Sequence, residues 1–335
     1  MRRTIAIVSA ALVLAGCSHT ATPPPAASSP AASALPAAGG ALGAAPSSSG
    51  PASAAAGPCT IFPADNVWHA DVSKLPVHRD SAAWVASIGA AAKAHPDFGS
   101  GFGFPLTQVP AGQAKVKVTF QYADESDPGP YPIPKTARVE SGGDKHVIVQ
   151  DASVCRAYEL YDATLQSDGS WKAGSGAAYD LRSNALRKSG WTSADAAGLP
   201  ILPGLPRADE AAAGKVDHAI RFTAPKTRKT FIWPARHAAA DATDTALPPM
   251  GARFRLKQSV DISKYPPQAR AVAQALKTYG AILADNGSPW YFSGTDDARW
   301  SNTQLDALKA LKGTDFEAVD SSLLMVDPNS ARCRP

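Results

Sequence analysis

Lys115-Val116-Lys117-Val118-Thr119-Phe120-Gln121-Tyr122 alternates polar and apolar side chains. Successive side chains of a strand point to opposite faces, so this spacing predicts a half-buried strand. Similar runs recur on both sides of it. Residues 146–150 and 155–162 read as a strand pair turning at Asp151-Ala152-Ser153, and Ser167-Asp168-Gly169-Ser170 turns into Trp171. Residues 216–223 and 230–233 read as a hairpin across Pro225-Lys226-Thr227-Arg228, and 252–258 alternates again. Residues 281–284 and 290–293 read as short strands around an Asn286-Gly287 turn. Helical spacing is rarer. Asp80 or Ser81 can cap a helix carrying Trp84, Val85 and Ile88 on one face. A second runs over 267–279, with proline in its first turn and Gly280 at its stop, and a third starts after Ser301 or Asn302 and ends at Gly313. Strands that arrive as hairpins predict a mainly β fold, a β-sandwich or jelly-roll-like body of antiparallel sheets with a few peripheral helices. The alternative is α+β. The strand–helix alternation of a doubly wound parallel fold is missing.

The start of the chain has a different character. Arg2 and Arg3 precede an apolar run over 5–14, which closes on Leu14-Ala15-Gly16-Cys17. A basic start, a short apolar core and small residues make an export signal, and a bilayer-spanning helix needs about 20 apolar residues. Leu14-Ala15-Gly16-Cys17 resembles the lipobox of bacterial lipoproteins. That resemblance implies cleavage after Gly16, lipid on Cys17 and anchoring in a bilayer. Ser18 resembles the outer-membrane sorting choice, facing periplasm or cell surface. Residues 18–58 hold no Asp, Glu, Lys or Arg and consist almost wholly of Ala, Pro, Ser, Gly and Thr. Such a stretch cannot bury enough apolar surface to order itself, and as a tether it reaches roughly 35 Å. The expected organisation is therefore a signal over 1–16, a lipidated cysteine and tether over 17–58, and one globular domain over 59–335.

Phe62-Pro63-Ala64-Asp65-Asn66 and Ala284-Asp285-Asn286-Gly287-Ser288 resemble phrases of uncharacterised secreted bacterial proteins, a resemblance that implies no activity. The chain has 33 Lys and Arg against 29 Asp and Glu; without Arg2 and Arg3 that is 31 against 29. A near-neutral balance argues against nucleic acid as partner. An exported chain can hold a disulfide. Cys59 and Cys333 lie at the two ends of the domain, where termini often meet, so they are the expected pair. Cys155 then reads as a small buried hydrophobe.

No His-Glu-x-x-His helix, Gly-x-Ser-x-Gly elbow or phosphate-cradling glycine loop is present. No metal site and no cofactor are expected. The densest polar and aromatic stretch runs over 179–237. Asp195 is the first candidate acid or base there, or a turn carboxylate. Asp180, Asp209 and Glu210 are its possible partners, although Asp209 and Glu210 also suit a helix start. His218 and His237 are candidate bases, although His218 also fits an apolar strand face shared with Val216, Ile220 and Phe222. Arg221 and Asp217 fall on the opposite face. Arg207 and Arg236 suit a substrate carboxylate, and Trp191 and Trp233 suit a sugar face. Asp285, Asn286, Trp290 and Tyr291 form a possible sugar-contacting rim. The carboxylates of 122–127 can hold calcium, but they lack regular ligand spacing and read better as a solvated turn.

These features predict a tethered enzyme acting on polysaccharide, either a glycoside hydrolase or a polysaccharide lyase. The rival is a non-catalytic lipoprotein that binds glycan or another envelope component. Asp195, Arg207, His218 and Arg236 or His237 are expected to meet in one cleft. The anchoring itself has a direct test. Cys17→Ser removes the thioether sulfur, so the variant loses the N-terminal lipid mass. Wild-type protein recovered from cells without lipid on Cys17 overturns the anchor.

Overall fold

A computed structural model describes residues 59–334. Cys17, the export signal and the tether lie outside the described residues. The strands are β1 (His95–Asp97), β2 (Leu106–Gln108), β3 (Val118–Phe120), β4 (Val147–Asp151), β5 (Arg156–Tyr161), β6 (Thr164–Leu165) and β7 (Trp171–Ala173). They continue as β8 (Ser175–Asp180), β9 (Ile220–Ala224), β10 (Arg253–Leu256), β11 (Ala281–Asn286), β12 (Tyr291–Ser293) and β13 (Phe316–Val319). The helices are α1 (Ser81–Gly89), α2 (Ala208–Ala212), α3 (Pro267–Thr278) and α4 (Asn302–Leu305). The fold is mainly β, with sheets ordered β1-β12-β9-β11-β10-β13, β2-β4-β5-β8 and β3-β7-β6.

The hairpin of 146–150 with 155–162 forms as β4 and β5, antiparallel. The sheets are mixed, however. β1 runs parallel to β12, β9 to β11, β2 to β4 and β3 to β7. The expected hairpin of 216–223 with 230–233 does not form. β9 lies between β11 and β12, so both its edges are taken. Phe231 instead bridges to Met250.

The four-stranded sheet is a middle layer. Its strand β4 is buried along its whole length, as the continuous run Val147-Ile148-Val149 requires. Val147, Val149, Tyr158 and Leu160 face a small cluster with Val118, Tyr131 and Trp171. Ile148, Ala157, Ala177 and Tyr179 face the main cluster.

The six-stranded sheet is two-faced. Phe222 stacks on Trp290 and Phe292, and meets Phe254 edge-on. Trp84 of α1 packs on Phe254, covering this aromatic face. The opposite face carries arginines. Arg253 is 1% exposed and donates to the carbonyls of Tyr279, just beyond α3, and Val67. Helix C-termini present unpaired carbonyls and partial negative charge, which suits a buried guanidinium. Gly280 makes the turn that brings α3 to β11, at φ 67°, where a Cβ would sit 2.2 Å from the Phe254 carbonyl oxygen.

Two sequence expectations are corrected here. Cys59 is bonded to Cys155, with Cα atoms 5.3 Å apart, and Cys333 is a buried free thiol. The chain end near Cys333 does meet the start of the domain, but through its amide on the Asp65 carbonyl at 2.8 Å. Trp290 is not a rim residue. It is fully buried between Phe222 and Phe316, with ring centroids 5.6 and 5.0 Å away, and its indole donates to the Gly89 carbonyl. Trp290→Ala is therefore expected to cost about 3–5 kcal/mol of folding stability, the usual range for emptying a tryptophan site. A chemical denaturation curve checks this, and an unchanged midpoint would return Trp290 to the surface.

Candidate functional site

Strand register decides which side chains share the arginine face. Thr223 of β9 is opposite Tyr291 of β12, and β12 in turn places Tyr291 and Ser293 opposite His95 and Asp97 of β1. On the other side of β9, Ile282 is opposite Arg221, but Asp285 rather than Ala284 is opposite Thr223. The register shifts there by one residue. A bulge turns the following side chain to the other face. It puts Asp285 on the same side as Arg221.

Arg221 is the hub of this face. It is 3% exposed. Its Nε and one Nη donate to the two oxygens of Asp195 at 2.9 and 3.0 Å. It also donates to Asp285 Oδ2 at 3.0 Å and to Ser293 Oγ at 2.8 Å. The Phe104 ring packs 5.2 Å from the guanidinium carbon. Burial disfavours the charge of Arg221, but Asp195 and Asp285 hold its pKa above the ordinary value.

The segment that delivers Asp195 is held from both sheets. The Ala194 carbonyl meets His146 Nε2 at 3.0 Å, and the Ile201 and Leu202 amides each donate to Glu159 of β5 at 2.8 Å. Gly198 permits the turn between them, at φ 68°, with the Trp191 carbonyl only 2.5 Å from where a Cβ would lie.

His146 is the second cation. Its Nδ1 faces Glu140 Oε2 at 2.5 Å while Nε2 faces the Ala194 carbonyl. Both partners are acceptors, so the doubly protonated ring satisfies both. Burial works against that charge, and the Glu140 contact outweighs it and raises the pKa. Glu140 is correspondingly lowered: burial pushes it up, and the His146 hydrogen bond overcomes this.

Asp285, Glu159 and Asp97 move the opposite way. Burial raises Asp285 to about 6 despite Arg221, and raises Glu159 to about 7 despite its two amide donors. Burial also raises Asp97, which faces His95, Glu140 and Arg221. Arg221 and His146 thus act on both Glu140 and Asp285. The Glu140 and Asp285 side chains keep 16% and 22% exposure, so both reach the solvent edge, where Asp97 is exposed as well.

The expected single cleft divides into three places. Asp195 is buried under Arg221 and meets neither candidate histidine through its carboxylate. Arg207, Asp209 and Glu210 line a cavity of about 1040 Å³, and His218 lies buried behind Glu210 at 3.3 Å. Arg207 pairs with Glu210 across the start of α2. Arg236 is a brace, donating to the carbonyls of Arg187 and Pro328 and to Asn329. His237 Nδ1 meets the Ala196 carbonyl at 2.8 Å.

The remaining expected residues are also accounted for. Asp180 is an exposed turn carboxylate that accepts the Arg182 amide. Trp191 is half-buried under Arg187 and Lys188. The Trp233 indole donates to Ser330, and Asn286 ties Ala239 to Thr227. Tyr291 is half-buried and stacks on His95 at 4.2 Å. Among 122–127, Asp127 pairs with Arg187 and Glu125 accepts the Thr192 amide, so these carboxylates have protein partners. Among the described residues no group of three or more His, Cys, Asp or Glu is arranged to hold a metal ion.

Sequence reasoning missed Arg221, His146, Glu140, Glu159 and Asp97. One signal was present for Arg221: an arginine inside an otherwise apolar strand needs a buried partner. No protein family, no curated protein and no solved structure matches this chain.

The opposed pKa shifts give stability a pH dependence. The unfolded Asp285 loses its proton near pH 3.8 but the folded one near 6, so stability falls as pH rises across that window. The contribution of His146 is complete below its unfolded value of 6.5 and is lost as pH rises through its higher folded value. Glu140 acts oppositely, its contribution being lost only as pH falls below the ordinary carboxylate range. The thermal midpoint should therefore be higher at about pH 5 than at about pH 8, with a shallower fall from 4 to 6 in Asp285→Asn. A midpoint that climbs from pH 5 to 8 contradicts these assignments.

Proposed function

We propose that this chain is an exported, lipid-tethered enzyme that cleaves a glycan by acid–base chemistry, with Asp285 as proton donor and Glu140 as its ionised partner. The carrying observation is the split between these two carboxyls. Both lie at the solvent edge under the same two cations, yet Asp285 is raised to about 6 while Glu140 is lowered. A pair of titratable groups driven apart in this way divides acid from base roles. Glycosidic cleavage needs that division: one carboxyl protonates the leaving oxygen, and the other acts as base or nucleophile on the sugar. Arg221 and His146 then position the pair, and Asp195 orients Arg221. The stacked Tyr291 and His95 rings border the same sheet face and offer an apolar surface to a sugar.

The exported setting is supported from two directions. Leu14-Ala15-Gly16-Cys17 resembles a lipobox. The Cys59–Cys155 disulfide belongs to an oxidising compartment. Hydrolysis is favoured over elimination because Arg221 and His146 are buried and already paired with carboxylates, so neither is free to neutralise a uronate.

The test uses the full chain carrying Cys17→Ser, incubated with a panel of bacterial and plant glycans. New reducing ends are expected, and Asp285→Asn and Glu140→Gln should each lower turnover by roughly 100-fold or more with the fold intact. Ultraviolet absorbance of an unsaturated product would replace hydrolysis by elimination. Binding without turnover would favour a glycan-binding lipoprotein.

A further inference from the structure

The cavity lined by Arg207 and Glu210 lies beside the acid–base cluster without sharing its charged side chains. Three segments connect the two places. Ser293 bonds Arg221, and Thr295, two residues on, lines the cavity. Phe104 packs on Arg221, and Leu106 lines the cavity. Glu140 belongs to the cluster, and Arg138 pairs with Asp296 on the cavity wall. Two residues of extended chain advance only about 7 Å.

The cavity wall contains an amide group that has no hydrogen-bond partner among the described residues. Gln108 of β2 and Gln150 of β4 are register partners on one sheet face, and both line the cavity. Gln150 is 8% exposed. Its carboxamide makes no hydrogen bond among the described residues and is not one of the sealed polar atoms, so it opens to the cavity. An amide left free at a cavity wall is placed for hydroxyl or amide groups of a ligand.

Charge narrows the ligand. Five carboxylates line the wall, and four of them already have a cation: Glu210 has Arg207, Asp297 has Arg299, Asp296 has Arg138 and Asp217 has Lys215. The wall guanidiniums, Arg207 and Arg299, are both paired in this way. Asp209 keeps 62% exposure, and its only cation partner among the described residues is Arg299 at 3.7 Å. Asp209 is thus the wall carboxylate left to receive a cation, and neither wall guanidinium is left unpaired for an anion.

We propose that this cavity binds an amino-sugar oligosaccharide, with Gln150 and Gln108 on its hydroxyls and Asp209 near its ammonium groups. The inference rests on the proposed function for the class of ligand, a glycan, and adds the binding site and the sugar's charge. It predicts that the polymer lies in this cavity and reaches the Asp285–Glu140 edge next to it.

The test is calorimetry on the full chain carrying Cys17→Ser, with hexamers of glucosamine, N-acetylglucosamine and galacturonate. The glucosamine hexamer should bind about tenfold more tightly than the acetylated one at low salt, and the gap should close at high salt as screening grows. Galacturonate should not bind. Gln150→Leu and Asp209→Asn should each weaken glucosamine binding about tenfold; the exposed Asp209 serves if Gln150→Leu does not fold. Asp285→Asn should bind normally, so loss of turnover with binding retained sinks the reaction and leaves the cavity assignment standing. Galacturonate binding of equal strength, glucosamine binding indifferent to both cavity substitutions, or no binding of any hexamer overturns the inference.

Discussion

A buried guanidinium must have its charge and its donors met, and Arg221 meets them by gathering four segments of chain. Asp195 arrives on the loop between the layers, Asp285 on β11 and Ser293 on β12, while Phe104 covers the flat face. Removing one partner from such a group usually costs about 3–5 kcal/mol, because the charge left behind stays buried. The arrangement therefore fixes more than local geometry. It sets where the 193–202 loop crosses the sheet, and Glu159 fixes the same loop from the opposite layer. The two sheets are joined through a polar strap rather than through apolar packing alone.

The strap explains why the sheet needs a bulge. With regular pairing along β11, Ala284 would face Arg221's side and Asp285 would point into the aromatic layer of Phe222, Phe254 and Trp290. The extra residue reverses this. A local defect in the ladder thus supplies the second carboxylate on Arg221, and it leaves that carboxylate at the solvent edge. The aromatic layer gains in turn, since Trp290 keeps its place between Phe222 and Phe316.

Much of the local structure was legible in the sequence. A continuous apolar run and a polar turn located β4 with β5, and capping and proline placement located α1 and α3. The long-range pairings were not legible. Parallel partners such as β1 with β12 lie almost two hundred residues apart, and no turn chemistry announces them. The site suffered from the same blindness. Asp195 and Asp285 were picked out because each stands in a glycine- or proline-shaped loop, but their common partner Arg221 sits in a strand whose alternation shows only a polar face. Glu140 and His146 flank a plain glycine turn. Their meaning depends on His146 reaching the Ala194 carbonyl, 48 residues away. The cysteine pairing failed for a related reason. Proximity of chain ends was real, but Cys155 sits at a left-handed turn beside the Thr60 carbonyl, closer to Cys59 than sequence position implied.

A network that served packing alone would match its charges. This one does not. Asp97, Glu140, Asp195, Glu159 and Asp285 face Arg221 and His146, so carboxyls exceed cations whatever the pairing. Burial answers part of the excess by raising Glu159 and Asp285, which sit in different settings. Glu159 is sealed between layers, where burial raises its pKa while its two amide donors favour ionisation. Asp285 is at the edge, where a proton held near pH 6 can pass to something outside the protein. Stability alone gives no reason to put a half-titrated carboxyl there, since an amide would satisfy Arg221 without the pH-dependent cost. A rim carboxyl that gives up its proton near pH 6, under the same two cations that hold Glu140 ionised, is a chemical capacity, and the excess of acid over base is what creates it.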